Sequence, residues 1–148
     1  MKKIFFTLLF TLTGWSTLLN AQTGAALDFD GVDDLVTIPA AAAFDFSTGT
    51  IECWLYSGTS TANRSFISMR TAVDAGNTRW SAHVNENSNT IGIWNGTAYN
   101  TVSVSIDPNV WYHIALVMTT TSVDLYVNGS YIGAIASGIN SAVTGKPL

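Results

Sequence analysis

Three groups of residues in this 148-residue chain could do chemistry: a run of closely spaced acids, two histidines with one cysteine, and aromatics set among asparagines. The acids Asp28, Asp30, Asp33 and Asp34 surround Gly31. Such a turn can offer carboxylates and main-chain carbonyls to calcium, which takes roughly six to eight oxygens at about 2.3–2.6 Å without strict geometry. The same residue types also cap their own backbone amides, so the run reads either as a cation loop or as a self-capped Asx turn.

The other candidates for catalysis are sparse. Cys53 is the single cysteine, lies in an apolar alternating run and has no neighbour that would stabilise a thiolate; it reads as a small buried hydrophobe. His83 and His113 sit in strand-like runs away from any Ser or Cys partner, and His113, alternating with Trp111 and Ala115, reads as a satisfied sheet residue. Glycoside hydrolysis needs two carboxylates about 5 Å apart or somewhat wider, but Glu52 and Glu86 are the only glutamates and neither begins an alternating acidic run. Glu52 reads as a structural or hydrogen-bonded carboxylate. HxxxH, CxxC and phosphate-cradling glycine loops do not occur, so the residues point away from an enzyme.

For sugar recognition the useful pattern is an aromatic ring to stack on a pyranose face, with amides nearby for the hydroxyls. Trp80, Trp94 and Tyr99, with Asn85 and Asn87, form the stretch with that mixture, flanked by Asn77, Asn89 and Asn95. The competing use of the same rings is ordinary core packing.

The elements that must position these residues are short strands. Runs at 25–29, 35–38, 50–56, 65–69, 80–84, 90–94 and 99–104 are divided by Gly, Asn, Asp and Pro clusters, the rhythm of a sandwich or barrel. In 50–56, Ile51, Cys53 and Leu55 alternate with Glu52, Trp54 and Tyr56, and the large aromatics predict that the second face is covered too. Residues 40–43 with Phe44 and Phe46 predict a packed connection with one helical turn. The runs 111–118, 123–127 and 130–133 predict a three-stranded antiparallel meander whose last hairpin is fixed by Asn128-Gly129, since a type I′ turn needs positive φ at both central residues.

Residues 1–21 carry a Lys2-Lys3 start, an apolar run and a small residue, Ala21, and are predicted to be a signal peptide, leaving 22–148 as one exported domain. The mature protein is expected to be secreted or held at a bacterial cell surface, with no membrane span after cleavage. Four basic residues then stand against ten acids, which speaks against nucleic acid as a partner.

The blocks Ala26-Leu27-Asp28-Phe29-Asp30-Gly31, Gly49-Thr50-Ile51-Glu52-Cys53-Trp54, Trp111-Tyr112-His113-Ile114-Ala115 and Leu125-Tyr126-Val127-Asn128-Gly129 resemble laminin-G-like domains of the concanavalin A-like lectin/glucanase superfamily. The resemblance implies an all-β antiparallel sandwich of jelly-roll type. It also implies that the closing strand of such domains is missing at the C-terminus. Relatives of this kind often hold a structural Ca2+, which makes Asp30 and Asp33 the expected ligands; glucanases of the superfamily carry Glu-x-Asp-x-x-Glu on one strand, a pattern this chain lacks. The expected function is non-catalytic: a secreted module binding polysaccharide or glycoprotein in adhesion or surface attachment. An accessory domain of a larger secreted glycoside hydrolase or protease, or a structural spacer, is the alternative.

Overall fold

Two-residue alternation of core-facing and outward side chains sets the strands, plainest at Gly49–Tyr56 and interrupted by register shifts at Arg64–Arg70 and Ser130–Ile135. The computed structural model describes residues 34–59, 62–72, 74, 76–85, 87–136 and 139–148. Within the compact unit 36–148, the strands are Gly49–Tyr56 (β1), Arg64–Arg70 (β2), Thr78–Asn85 (β3), Thr90–Trp94 (β4), Tyr99–Ser103 (β5), Trp111–Met118 (β6), Val123–Val127 (β7) and Ser130–Ile135 (β8). They form two four-stranded antiparallel sheets, β1-β6-β7-β8 and β2-β3-β4-β5. The chain is an all-β sandwich, as its strand rhythm predicts.

The core lies between the sheets. Trp80, Ala82 and Val84 of β3 with Ile91 and Ile93 of β4 meet Ile114, Leu116 and Met118 of β6 and Val123, Leu125 and Val127 of β7. Removing this much apolar surface from water, at about 25 cal/mol per Å², is the main force holding the sheets face to face. Near β5 and β8 the sheets approach closely: a Cβ added at Gly133 would stand 3.1 Å from Val102 Cγ1.

A buried arginine ties the loose segments to this core. Arg79, only 2% exposed, donates from Nη2 to the carbonyls of Asp45 (2.9 Å) and Phe46 (2.7 Å), and from Nη1 to that of Val143 at 2.5 Å. Its own carbonyl accepts from Asn140 N–H at 2.8 Å. The Asp45 carboxylate in turn accepts from Gly145 N–H at 3.0 and 3.1 Å, where φ is +65°.

Several local expectations meet a specific outcome. A 3-10 turn at Ala42–Phe44 supplies the helical turn expected before Phe46. Residues 35–38 do not form a strand: Ile38 exchanges one pair of backbone bonds with Leu148, at 2.7 and 3.1 Å, and one pair makes no ladder. The signal peptide, the expected strand at 25–29, Asp30, Asp33 and Glu86 lie outside the described residues. No helix among the described residues is long and apolar enough to cross a membrane.

Candidate functional site

The second face of β1 is open, contrary to the covered surface that its aromatics predict. Trp54 is 66% exposed, Tyr56 50% and, on the neighbouring β6, Trp111 60%. Outward placement follows from parity: Ile51, Cys53 and Leu55 pack against the core, so Glu52, Trp54 and Tyr56 must point away from it.

Cross-strand register then assembles a surface from residues distant in sequence. Tyr56 lies opposite Trp111, Trp54 opposite His113, and Glu52 opposite Ala115. The paired rings are tilted, not stacked flat: Tyr56 and Trp111 have centroids 5.2 Å apart at 44°, Trp54 and His113 5.4 Å apart at 58°. Glu52 Oε2 stands 3.4 Å from His113 Nε2. His113 is thus a sheet residue with a partner, joining the acid and the indole on one surface.

The same face continues across β7 and β8. Ala115 is opposite Tyr126, and Tyr126 is opposite Tyr131, their rings 5.4 Å apart at 61°. A bulge creates this last pair. Upstream, Leu125 pairs with Gly133; the register then slips by one residue, so Tyr126 meets Tyr131 and Ile132 is left to pack against the core. Bulges commonly re-aim a side chain in this way.

Positions on this face are held from behind by the β7-β8 turn. Asn128 (φ +49°) and Gly129 (φ +78°) are the two central residues of the hairpin that their sequence predicts. Asn128 Oδ1 also accepts from His113 N–H at 2.9 Å, and Asn128 N–H donates to the His113 carbonyl at 2.8 Å.

The residues that the sequence nominates for sugar contact are dispersed by the other sheet. Trp80 has no exposed surface and belongs to the core, so its indole offers no face to a ligand; it shares parity with Ala82 and Val84. Trp94 and Tyr99 stand opposite each other on β4 and β5, and Asn85 lies on the same outer side of β3. Asn85 is committed to local structure, accepting from Ser88 N–H at 3.0 Å and donating to Asn63 Oδ1 at 3.1 Å. Asn87 is exposed in the β3-β4 turn.

Tyr99 has a packing task on this side. A Cβ on Gly92 would meet its ring at 2.9 Å and Thr101 Cγ2 at 2.7 Å, so the bare glycine makes room for the tyrosine. The ring sets its edge against His83 at 5.6 Å and 79°. Burial raises the Tyr99 phenol pKa; burial first, then the Arg70 charge, lowers that of His83. Both His83 ring nitrogens and the Tyr99 hydroxyl are buried without a hydrogen-bond partner.

Cys53 is half-buried on the core side of β1, and burial pushes its thiol pKa up, in keeping with an unreactive hydrophobe. Among the described residues, no three His, Cys, Asp or Glu come together to hold a metal ion. The sequence carried one signal for the exposed face: in 50–56 both aromatics share parity with the charged Glu52.

A family model for laminin G domains, described as the Concanavalin A-like lectin/glucanases superfamily, matches residues 30–148. No curated protein and no solved structure matches the chain.

Proposed function

Because this chain belongs to the concanavalin A-like lectin/glucanases superfamily, we propose that it works outside the cell as a non-catalytic recognition module that binds carbohydrate in adhesion or surface attachment. The observation that carries this reading is the exposed aromatic face of β1 and β6, where Trp54, Tyr56 and Trp111 present ring surface next to the polar groups of Glu52 and His113. Indole and phenol rings give large, stiff contact area at low entropic cost, and carboxylate and imidazole can hold hydroxyls beside them. Among the described residues Glu52 leans on His113, so the acid beside the rings is engaged with an imidazole.

The test is a glycan array followed by calorimetry on the full chain and on Trp54→Ala. Binding that falls at least about tenfold in Trp54→Ala supports the reading. Trp94→Ala is the comparison for the opposite outer face; loss there with Trp54→Ala silent would move the site to the residues first nominated by sequence. We further propose that Asp30 and Asp33 hold Ca2+, tested by repeating the titration with a chelator: binding that is lost, returns with Ca2+ and fails to return in Asp30→Asn supports it.

A further inference from the structure

We propose that the aromatic face takes an extended polysaccharide free of acidic groups, with Glu52 and Asp124 as the specificity-determining residues that turn acidic polymers away. The proposal rests on the carbohydrate-binding reading above.

Shape argues for a chain. Along β6 the successive outward residues are His113, Ala115 and Val117, and Ala115 is only 9% exposed. Ala115 is flanked in register by the longer Glu52 and Tyr126, and Val117 by the longer Asp124 on one side and the equally sized Thr50 on the other. The result is a shallow trough over β6, ending at the Tyr56 and Trp111 rings. Outward positions repeat every about 6.6–6.8 Å along a strand, so the low stretch at Ala115 and Val117 spans about 7 Å and the whole outward row from Trp111 to Val117 about 20 Å, more than one sugar ring requires.

Charge argues for the polymer's chemistry. The four strands of this sheet contain no Lys or Arg, and their acids are Glu52 and Asp124. The Glu52 side chain is 65% exposed, free to meet a ligand while it leans on His113. An incoming carboxylate or sulfate would find two like charges and, within these four strands, no Lys or Arg. Aromatic faces add to the repulsion, because the ring quadrupole places negative potential on the face that a ligand would touch. Uncharged hydroxyls meet the opposite situation, since carboxylates are strong acceptors for them.

The experiment titrates the full chain with neutral glucans, mannans, xylans and galactans, with the monosaccharide of each, and with carboxymethylated or sulfated forms of the same polymers. A neutral polymer is expected to bind at least about tenfold more tightly than its monosaccharide and than its acidic derivative at low salt. The gap to the acidic derivative is expected to narrow as salt rises and in the double variant Glu52→Gln, Asp124→Asn, whose thermal unfolding serves as the folding control. Equal binding of the neutral and acidic forms, or a gap that the double variant leaves unchanged, overturns the proposal. So does a dimer, seen by sedimentation, that dissociates in Trp54→Ala, because the face would then be covered by a second copy. The underlying carbohydrate reading fails separately, when no polymer binds or when Trp54→Ala binds as well as the unaltered chain.

Discussion

Asn128 grips His113 twice, accepting its N–H at 2.9 Å through Oδ1 and donating its own N–H to the His113 carbonyl at 2.8 Å. One turn residue therefore sets both the β7-β8 hairpin and the height of an imidazole on the neighbouring strand. Replacing it by alanine keeps a side chain in the left-handed region and removes the accepting oxygen. Asn128→Ala is expected to cost about 2 kcal/mol in urea unfolding, from backbone strain plus one lost bond. Asn128→Gly, which relieves the strain, is expected to recover part of it; equal losses in both variants would place the whole effect on the side-chain bond.

Arg79 is the second structural dependency. Its guanidinium is what satisfies the carbonyls of Asp45, Phe46 and Val143. Arg79→Met leaves one buried and two part-buried carbonyls without this donor and is expected to destabilise the fold by about 3 kcal/mol. Amide exchange should accelerate first at Asn140, Val143 and Gly145; uniform acceleration across both sheets would show that Arg79 supports the whole core and not these segments.

Gly92 leaves space that Tyr99 fills. A valine there must displace that ring, Thr101 and the Asn100 carbonyl, 2.8 Å from the added Cβ, at a cost of about 1–3 kcal/mol typical of overpacking. The local sign is a change in the NMR shifts of His83, whose ring abuts Tyr99. An unchanged His83 environment with full stability would refute the packing role given to Tyr99.

Stability should fall as the solution is acidified through the imidazole range. The folded-state pKa of His83 is lowered, by burial and by Arg70, so below the ordinary value of about 6.5 the unfolded chain binds a proton that the folded chain resists. The contribution is fully present above that value and is lost as pH falls toward the depressed one. His83→Gln is expected to flatten this part of the urea-midpoint profile; a slope that persists unchanged assigns it to another group.

Much of the fold is legible because it depends on local rules. Alternation in 50–56 and 111–118, and the positive-φ demand met by Asn128-Gly129, specify strands and a turn without knowledge of the rest of the chain. Parity also separates Trp80 from Trp54: one alternates with Ala82 and Val84, the other with Glu52. What local rules do not contain is which strand lies beside which. Trp54 meets His113, and Glu52 approaches it, only because β1 pairs with β6 across four intervening strands in a single register. The aromatic surface therefore emerges from long-range pairing, whereas the asparagine-rich stretch that drew attention in the sequence spends at least Asn85 and Asn95 on fastening its own turns.

The slip between Leu125 and Tyr126 makes the recognition surface sensitive to chain length at one point. Deleting a single residue from the start of β8 would restore an unbroken ladder, turn the phenol inward and bring the isoleucine to the outside, while leaving every other strand as it is. Relatives that differ by one insertion or deletion at this position would then carry the same scaffold with a different outer surface, so gaps in an alignment, more than substitutions, are the place to look for divergence in what this sheet touches.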